Sequence, residues 1–266
     1  MSQISQATLQ SSLQGTLLGK NAVVTGGGQG IGLGISQCLL AAGASLVIVQ
    51  RSSLPAELSQ HPDVGWIEAD LSQPESYSNI AIAIESQYDH IDILINNAGL
   101  MFERRLDDMQ LDEWQNMLAL NLTAPIFLSK HLLPLLQASQ SGSIIHIGSI
   151  EGIGANPDHS AYCATKGGIH ALTKAMAVDL GKDNIRCNSI APGWIRSALS
   201  DDYINAQPNS TAAWEDLYKM HPVGRIGEPE DVGNLAVYLA SDAAGFMTGQ
   251  VIVLDGGRTS KLSLPF

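Results

Sequence analysis

The chain has 266 residues, which favours one large α/β domain with a self-supporting core over two small domains. Its formal net charge is −12, from 14 Lys and Arg against 26 Asp and Glu, and the sequence contains no basic run. That balance argues against a surface for the phosphates of nucleic acid, so we expect no nucleic-acid partner.

The three cysteines, Cys38, Cys163 and Cys187, show no CxxC or Cys/His spacing, and their odd number suits a reducing compartment. Residues 1–18 are polar and lack the basic start and apolar centre of a signal peptide, and no apolar run reaches membrane-spanning length. We therefore expect a cytoplasmic protein with no membrane partner, whose residues 1–18 form a flexible tail before a single domain at 19–266.

Short β-branched runs alternate with longer amphipathic stretches along the chain. Strands are predicted at 21–25, 45–49, 65–69, 91–95, 143–147, 185–190 and 250–254, and helices at 30–43, 74–88, 110–138, 160–181 and 228–241. Such alternation predicts right-handed crossovers and a doubly wound parallel sheet with helices on both faces. The segment 196–224, rich in Ser, Asp, Asn and Pro, is the one that departs from this alternation of strands and helices. Its length indicates a lid.

The first strand is followed by TGGGQGIGLG at 25–34, a glycine turn that leads into a helix. Without Cβ atoms, the turn and the helix N-terminus can approach a pyrophosphate closely, and the helix dipole favours the anion. The glycines fall as Gly26, Gly30 and Gly32, which is TGxxxGxG rather than GxGxxG. The alternative is an ordinary tight turn between a strand and a helix.

Tyr162 and Lys166 stand four residues apart in SAYCATKGG, with small residues around them. One helical turn places both groups on the same face, and an ammonium near a phenol is expected to lower its pKa from about 10 towards the working range of an acid or base. An isolated pair of this kind could equally be ordinary helix-surface packing.

Taken together, TGGGQGIG, NNAG at 96–99, Asn121 in ALNLTA, Ser149, Tyr162-x-x-x-Lys166 and PGW at 192–194 follow one order and spacing. With these motifs in this order and spacing, the chain resembles the short-chain dehydrogenase/reductases over residues 19–257. The resemblance implies a Rossmann-type sheet of strand order 3-2-1-4-5-6-7, an NAD or NADP cofactor, and hydride exchange with an alcohol or carbonyl. A non-catalytic dinucleotide sensor on the same fold is the alternative from another class, but the catalytic positions are intact.

The resemblance also implies roles for individual residues. Tyr162 would exchange the substrate proton, Lys166 would bind the nicotinamide ribose, Ser149 would hold the substrate oxygen, and Asn121 would anchor a water in a proton relay. Asp70 would contact adenine, although an Asp there could also cap a turn. The full set of implied cofactor contacts is Gly26, Gln29, Gly30, Ile31, Gly32, Arg51, Ser52, Asp70, Leu71, Asn97, Ala98, Gly99, Tyr162, Lys166, Pro192, Gly193 and Ile195.

The end of the second strand bears on the choice of cofactor. NAD-preferring relatives carry an acidic residue where this chain has Gln50, and the next residues, Arg51 and Ser52, can bind a 2′-phosphate. This favours NADP. Gln29 is neutral, however, where many NADP-using relatives carry a basic residue, so dual use of NADP and NAD stays open.

The substrate pocket is expected to include Ser149, Glu151, Asn156, His159, Tyr162 and Trp194. His146, His159 and His170 lack a second ligand at metal spacing, so no metal site is expected. The substrate class is a sugar, a polyol, or a sugar or hydroxy acid, and the alternative is a 3-oxoacyl thioester of acyl-carrier protein. Arg104, Arg105 and Arg196 either meet an anionic group or lie solvated at the surface.

A homotetramer is expected from the helices at 110–138 and 160–181. Each carries apolar residues on more than one face, such as Trp114, Phe127 and Met176, whereas a helix that covers a sheet needs one apolar stripe. The resemblance to the short-chain dehydrogenase/reductases also implies a homotetramer.

Overall fold

The computed structural model describes residues 15–262. Seven strands form one parallel sheet, in the order β3-β2-β1-β4-β5-β6-β7. They are β1 (Asn21–Thr25), β2 (Ser45–Gln50), β3 (Val64–Glu68), β4 (Ile93–Asn96), β5 (Gly142–Ile147), β6 (Ile185–Pro192) and β7 (Val251–Leu254). The predicted fold class and strand order are confirmed. The central strands are buried along almost their whole length, as expected for a sheet covered on both faces.

Nine α-helices lie in the described part of the chain. They are α1 (Gly30–Ala41), α2 (Ala56–Ser59), α3 (Glu75–Glu85), α4 (Leu111–Leu118), α5 (Ala124–Ala138), α6 (Ser160–Leu180), α7 (Ala198–Asn205), α8 (Ser210–Met220) and α9 (Pro229–Ala240). The predicted helix at 110–138 is divided, because a π-helical turn at Ala119–Thr123 joins α4 to α5. The helix α2, in the short crossover between β2 and β3, was not predicted.

Alternate residues of each strand enter opposite halves of the core. Val24, Ile48 and Ile145 pack with α1 and α9 on one face, whereas Val23, Val47 and Ile144 belong to the cluster with α3 and α5 on the other. This alternation is the period of two that a strand imposes on its side chains. The two helical layers therefore hold the sheet as a rigid base for its carboxyl edge.

The stretch Leu111–Ala138, with a mean hydropathy of 1.2, is long and apolar enough to cross a membrane by length and composition alone. In the fold, Leu128, Leu132 and Leu136 pack into the core against the sheet. The stretch therefore serves here as a core helix of the domain.

The expected tail at 1–18 is described only from Gly15, since residues 1–14 lie outside the described part of the chain. Leu17 is fully buried in the cluster beneath α1 and α9, and its N–H donates to Ala42 O at 2.9 Å. Packing of the domain therefore begins before residue 19.

The predicted lid at 196–224 contains two helices, α7 and α8. Ser197 caps α7 through a reciprocal pair of bonds with Ser200, and Asn209 caps α8 by accepting from Ala212 N. The lid has its own apolar cluster, in which Ile204, Leu217 and Ile226 are buried. It is a folded subassembly rather than an irregular loop.

The helices α1 and α9 pack closely against each other, and a glycine of each faces the partner backbone. A Cβ on Gly34 would lie 2.5 Å from Pro229 Cβ and 2.6 Å from Pro229 C, and a Cβ on Gly233 would lie 2.6 Å from Gly34 O. These distances leave no room for a methyl group unless the helices separate.

We expect Gly34→Ala to lower the free energy of unfolding by about 1–3 kcal/mol, as overpacking does in a close-packed core. Gly181→Ala is the control, because its backbone is helical at φ −59° and no atom lies within 4 Å of the added Cβ. That change is expected to be neutral or to stabilise by up to about 1 kcal/mol. Urea denaturation of the three proteins measures the difference, and equal stability would show that α1 and α9 separate at no cost.

Candidate active site

The carboxyl ends of β1, β4, β5 and β6 meet at one edge of the sheet, and the sequence motifs follow these ends. The glycine turn follows β1, Asn97 follows β4, Ser149 follows β5, and Gly193 follows β6. In open α/β sheets this edge is where ligands bind.

The glycine turn has the conformation that its residues were predicted to allow. Gly26 and Gly30 have φ of +64° and +50°, in the left-handed region that favours glycine. A Cβ on Gly32 would overlap the carbonyl oxygen of Gly26. The helix α1 begins after Gln29 with no side-chain cap and no acidic residue in its first turn. Its first N–H groups and positive dipole end therefore fit the pyrophosphate of a dinucleotide.

Thr25 and Asn97 connect the glycine turn to the end of β4. Thr25 Oγ1 accepts from the N–H groups of Asn97 and Ala98, each at 2.9 Å. The amide Nδ2 of Asn97 donates to Thr25 O at 2.9 Å and to Gly26 O at 3.0 Å. The Asn97 side chain therefore holds the neighbouring strand end, and its contact with an adenosine ribose stays a prediction.

The end of β2 is organised by Gln50. Its Oε1 accepts from Gly28 N at 2.8 Å, and its Nε2 donates to Ser52 O at 2.9 Å, so the side chain joins the glycine turn to the residues after β2. Arg51 is 74% exposed at its side chain and lies 3.8 Å from Asp70 Oδ2. This guanidinium is thus available at the surface, beside one carboxylate.

Asp70 caps a turn. This is the second of the two roles that the sequence allows for it, the first being contact with adenine. Its Oδ1 accepts from Ser72 N at 2.9 Å and Ser72 Oγ at 2.7 Å. Burial acts to raise the pKa of Asp70, but the Ser72 bonds and the Arg51 charge outweigh it and the pKa is lowered. Leu71, the next residue, is buried in the core.

Asn121 lies in the π-helical turn between α4 and α5, a feature that is frequent at functional sites. Its Oδ1 accepts from Leu100 N and its Nδ2 donates to Leu100 O, both at 2.8 Å. Nδ2 also donates to Thr165 Oγ1 at 3.3 Å, which links this turn to α6. A Cβ on Gly99 would lie 3.2 Å from Asn121 Oδ1, so a small residue suits this crossing.

Ser149 and Tyr162 meet at the end of β5. Ser149 Oγ caps the following 3₁₀ turn by accepting from Glu151 N at 3.1 Å, and its hydroxyl lies near enough to Tyr162 to act on the pKa of the phenol. Burial raises the pKa of Tyr162 to about 12, the Ser149 hydroxyl acts to lower it, and the charge of Glu151 raises it further. Tyr162 is therefore protonated at neutral pH in this structure.

Lys166 is buried one turn along α6, with Nζ donating to Ile147 O at 2.8 Å and lying 5.5 Å from the Tyr162 ring centroid. Burial lowers its pKa to about 8. The predicted proximity of the two groups is confirmed, but the expected lowering of the Tyr162 pKa is not found. Loss of solvation outweighs the nearby charge, because each buried group favours its neutral form.

Glu151 and His159, predicted pocket residues, are brought together beside Tyr162. His159 Nδ1 lies 2.6 Å from Glu151 Oε2, and the His159 ring packs edge-on against Tyr162 with centroids 6.3 Å apart. The other ring nitrogen, Nε2, lies 3.6 Å from Glu103 Oε1. Glu103 was not predicted, since it stands in no motif.

The other predicted residues of the substrate pocket, Trp194 and Asn156, and the predicted nicotinamide contacts at 192–195 make contacts within the chain. Trp194 packs with the lid cluster, 6.1 Å from the Tyr203 ring, so its indole serves the lid core. The backbone N–H of Asn156 acts on the pKa of the Cys163 thiol. Ile195 is buried and bridges Gly227, and Gly193 N donates to Leu254 O at 2.9 Å. Pro192 is the last residue of β6, which runs two residues beyond the predicted end at 190.

The arginines near these strand ends are bound to carboxylates of this chain. Arg104 forms a two-point ion pair with Glu113, and Arg105 pairs with Asp107 at 3.0 Å. Arg196 pairs with Glu228 at 3.1 Å and Asp201 at 3.3 Å, and it stacks over Trp214. Their charges are therefore neutralised locally.

His146 and His170 are buried in the fold. His146 Nδ1 lies 3.2 Å from Asn96 Nδ2 in the core, and burial, with the Lys166 charge, lowers its pKa to about 3. His146 is therefore neutral.

The sequence pattern of a family described as "Enoyl-(Acyl carrier protein) reductase" matches residues 26–259. A 3-oxoacyl-[acyl-carrier-protein] reductase of Chlamydia pneumoniae is 35% identical over 250 residues, which cover 92% of this chain and 98% of the relative. The chain belongs to the short-chain dehydrogenase/reductase family. It is accordingly an NAD(P)-dependent oxidoreductase that acts on CH–OH groups.

Solved structures agree in fold and differ in substrate. A gluconate 5-dehydrogenase from Burkholderia cenocepacia J2315, in complex with NADP and tartrate, matches at 31% identity with a TM-score of 0.86, covering 94% of this chain and 100% of that one. A ligand-free aldohexose dehydrogenase of Thermoplasma acidophilum matches at 27% identity with a TM-score of 0.87, covering 95% and 100%. The family membership therefore fixes the reaction class and leaves the substrate open.

Proposed function

We propose that this short-chain dehydrogenase/reductase exchanges a hydride between NADP or NAD and a secondary alcohol or carbonyl of a sugar, a polyol, or a sugar or hydroxy acid. The observation that carries the proposal is the convergence of Ser149, Tyr162 and Lys166 at the edge of the sheet that also carries the glycine turn. The domain at 19–266 is the catalytic unit, 196–224 is its lid, and the compartment is the cytoplasm.

Tyr162 is the proton donor and acceptor in this proposal. Its hydroxyl, which is protonated and lies near Ser149, gives its proton to a carbonyl oxygen during reduction and takes it back during oxidation. In this proposal the Ser149 hydroxyl donates a hydrogen bond to the same oxygen. The nicotinamide, when bound, supplies or accepts the hydride.

Lys166 and Asn121 support this proton transfer. Lys166 binds the nicotinamide ribose and supplies positive charge beneath the phenol, from an ammonium now bonded to Ile147 O. Asn121 anchors a water between Lys166 and solvent, from a π-helical turn whose conformation its side chain fixes through Leu100. The remaining contacts to the dinucleotide come from the glycine turn, Arg51, Ser52, Asp70, Leu71, Asn97, Ala98, Gly99, Pro192, Gly193 and Ile195.

A 3-oxoacyl thioester of acyl-carrier protein is the second candidate substrate, and the Chlamydia pneumoniae relative favours it. Absorbance of the reduced nicotinamide, followed across polyols, sugars, hydroxy acids and a 3-oxoacyl thioester, tests both candidates. Turnover of the thioester alone would replace the first candidate. Cofactor binding without turnover of any substrate would instead identify a dinucleotide sensor.

Tyr162→Phe is expected to lower kcat at least about a thousandfold while leaving cofactor affinity nearly unchanged, since it removes a positioned proton donor. Lys166→Ala is expected to weaken cofactor binding as well as kcat, because one ammonium serves both the ribose and the phenol. Steady-state kinetics and NADPH fluorescence titration measure these effects. A modest loss in the first variant would contradict the assignment of Tyr162.

Arg51→Ala is expected to raise KM for NADP by about tenfold or more and to leave KM for NAD within about threefold, because only NADP has a phosphate for the guanidinium to pair with. Arg105→Ala is the matched control, since Arg105 is also an exposed arginine paired with an aspartate. Equal effects on both cofactors, or a wild-type preference for NAD, would exclude this role.

The protein is further proposed to be a homotetramer with two-fold symmetry. Phe127 of α5 and Val178 of α6 are exposed apolar residues on helices whose other faces cover the sheet. Burying such faces between copies would remove apolar surface from water. Light scattering at micromolar concentration is expected to give four times the 28.2 kDa chain mass, and a monomeric mass would refute the assembly.

A further inference from the structure

We propose that Glu151, held by His159 beside Tyr162, makes this enzyme select uncharged polyhydroxy substrates over their carboxylate counterparts. The inference rests on the proposed function and narrows its substrate class. It assigns to Glu151 the role of a specificity residue that accepts hydrogen bonds from substrate hydroxyls and repels anions.

The position of Glu151 is fixed by two neighbours. Its Oε2 lies 2.6 Å from His159 Nδ1 and 3.7 Å from the Cys163 thiol, which donates to it. Both bonds end on Oε2, so Oε1 is the oxygen left to meet a substrate hydroxyl. The side chain is 15% exposed, and its partner His159 packs edge-on against the Tyr162 ring with centroids 6.3 Å apart, which places Glu151 on the Tyr162 side of the site.

A second carboxylate, Glu103, lies beside the same histidine, and we call Glu103, Glu151 and His159 together the acidic wall of the site. Arg104 N donates to Asp158 O at 2.7 Å, and this bond joins the loop after β4 to the loop after β5. Glu103 and Glu151 consequently lie on opposite sides of the His159 ring. With both carboxylates ionised, the three groups carry a net charge of −2 when His159 is neutral and −1 when it is protonated.

No described cation near this wall offsets that charge. Arg104 is bound by Glu113 and Arg105 by Asp107, while Arg196 is shared by Asp201 and Glu228. Lys166 is buried and donates to Ile147 O, at the end of β5. A substrate carboxylate would therefore meet like charge without a partner, whereas a substrate hydroxyl would donate to a charged acceptor.

Matched substrate pairs test the inference. Glucitol and gluconate differ by CH₂OH against COO⁻ at one end, as do butane-1,3-diol and 3-hydroxybutyrate, and oxidation of each is followed with the preferred cofactor. Wild-type kcat/KM is expected to favour the neutral member of each pair by at least about tenfold. The preference is expected to weaken as ionic strength rises, because salt screens a partly exposed charge.

Glu151→Gln keeps the shape and removes the charge, so it is expected to shrink the neutral-to-anion ratio by about tenfold while KM for the cofactor stays unchanged. Glu103→Gln, at a 50% exposed position on the rim, is expected to act in the same direction with a smaller effect. Glu85→Gln, at an exposed position in α3, is the control and should leave the ratio as it is. Circular dichroism checks that each variant is folded.

The outcomes separate this inference from the proposed function. A wild-type preference for the anionic member, or an equal effect of Glu151→Gln on both members of each pair, overturns the inference and leaves the oxidoreductase assignment intact. Absence of turnover with every sugar, polyol, acid and thioester overturns the proposed function and the inference together.

Discussion

The joint between the ends of β1 and β4 is the interaction on which the rest of the site depends. The hydroxyl of Thr25 donates to Ile95 O and accepts the N–H groups of Asn97 and Ala98, while the Asn97 amide donates to Thr25 O and Gly26 O. Two side chains thus satisfy the backbone where both strands leave the sheet. Because Thr25 and Asn97 fix the backbone path of the glycine turn, the glycines need no side chains of their own to hold it.

The same polar chain continues to the catalytic helix. Leu100, three residues beyond Asn97, exchanges both backbone bonds with the Asn121 side chain, and Asn121 reaches Thr165 in α6. Thr165 stands between Tyr162 and Lys166. The positions of the glycine turn and of the two reactive side chains are therefore linked by consecutive hydrogen bonds through the strand ends, rather than by separate local folds.

Burial sets the protonation of that site. It raises the pKa of Tyr162 to about 12 and lowers that of Lys166 to about 8, and in both cases the neutral form gains. The sequence spacing correctly placed the phenol and the ammonium together. The direction of the Tyr162 pKa shift, however, depends on how far burial removes each group from solvent, and the spacing of residues does not reveal the extent of burial.

Other features of the fold and the site could or could not be predicted from the sequence for equally specific reasons. The five inner strands could be predicted because their β-branched runs are buried on both faces, and a continuous apolar run is visible in the sequence. Trp194 could not be placed, since its sequence position beside Gly193 says nothing of the rotation that turns its indole towards Tyr203. Glu103 was missed because a long-range contact between Arg104 and Asp158 brings its loop to His159.

The predicted lid packs around a separate apolar cluster, and polar contacts of Arg196 join it to the rest of the domain. Ile204, Leu217 and Ile226 bury against one another and Trp214, apart from the two main clusters of the sheet. Arg196 connects α7 through Asp201, α8 through the Tyr218 hydroxyl, and the start of α9 through Glu228. Each of these bonds is partly exposed, so each contributes less to stability than a buried bond does. Because α9 packs on α1 at Gly34, the bond from Arg196 to Glu228 also connects this segment to the helix that follows the glycine turn.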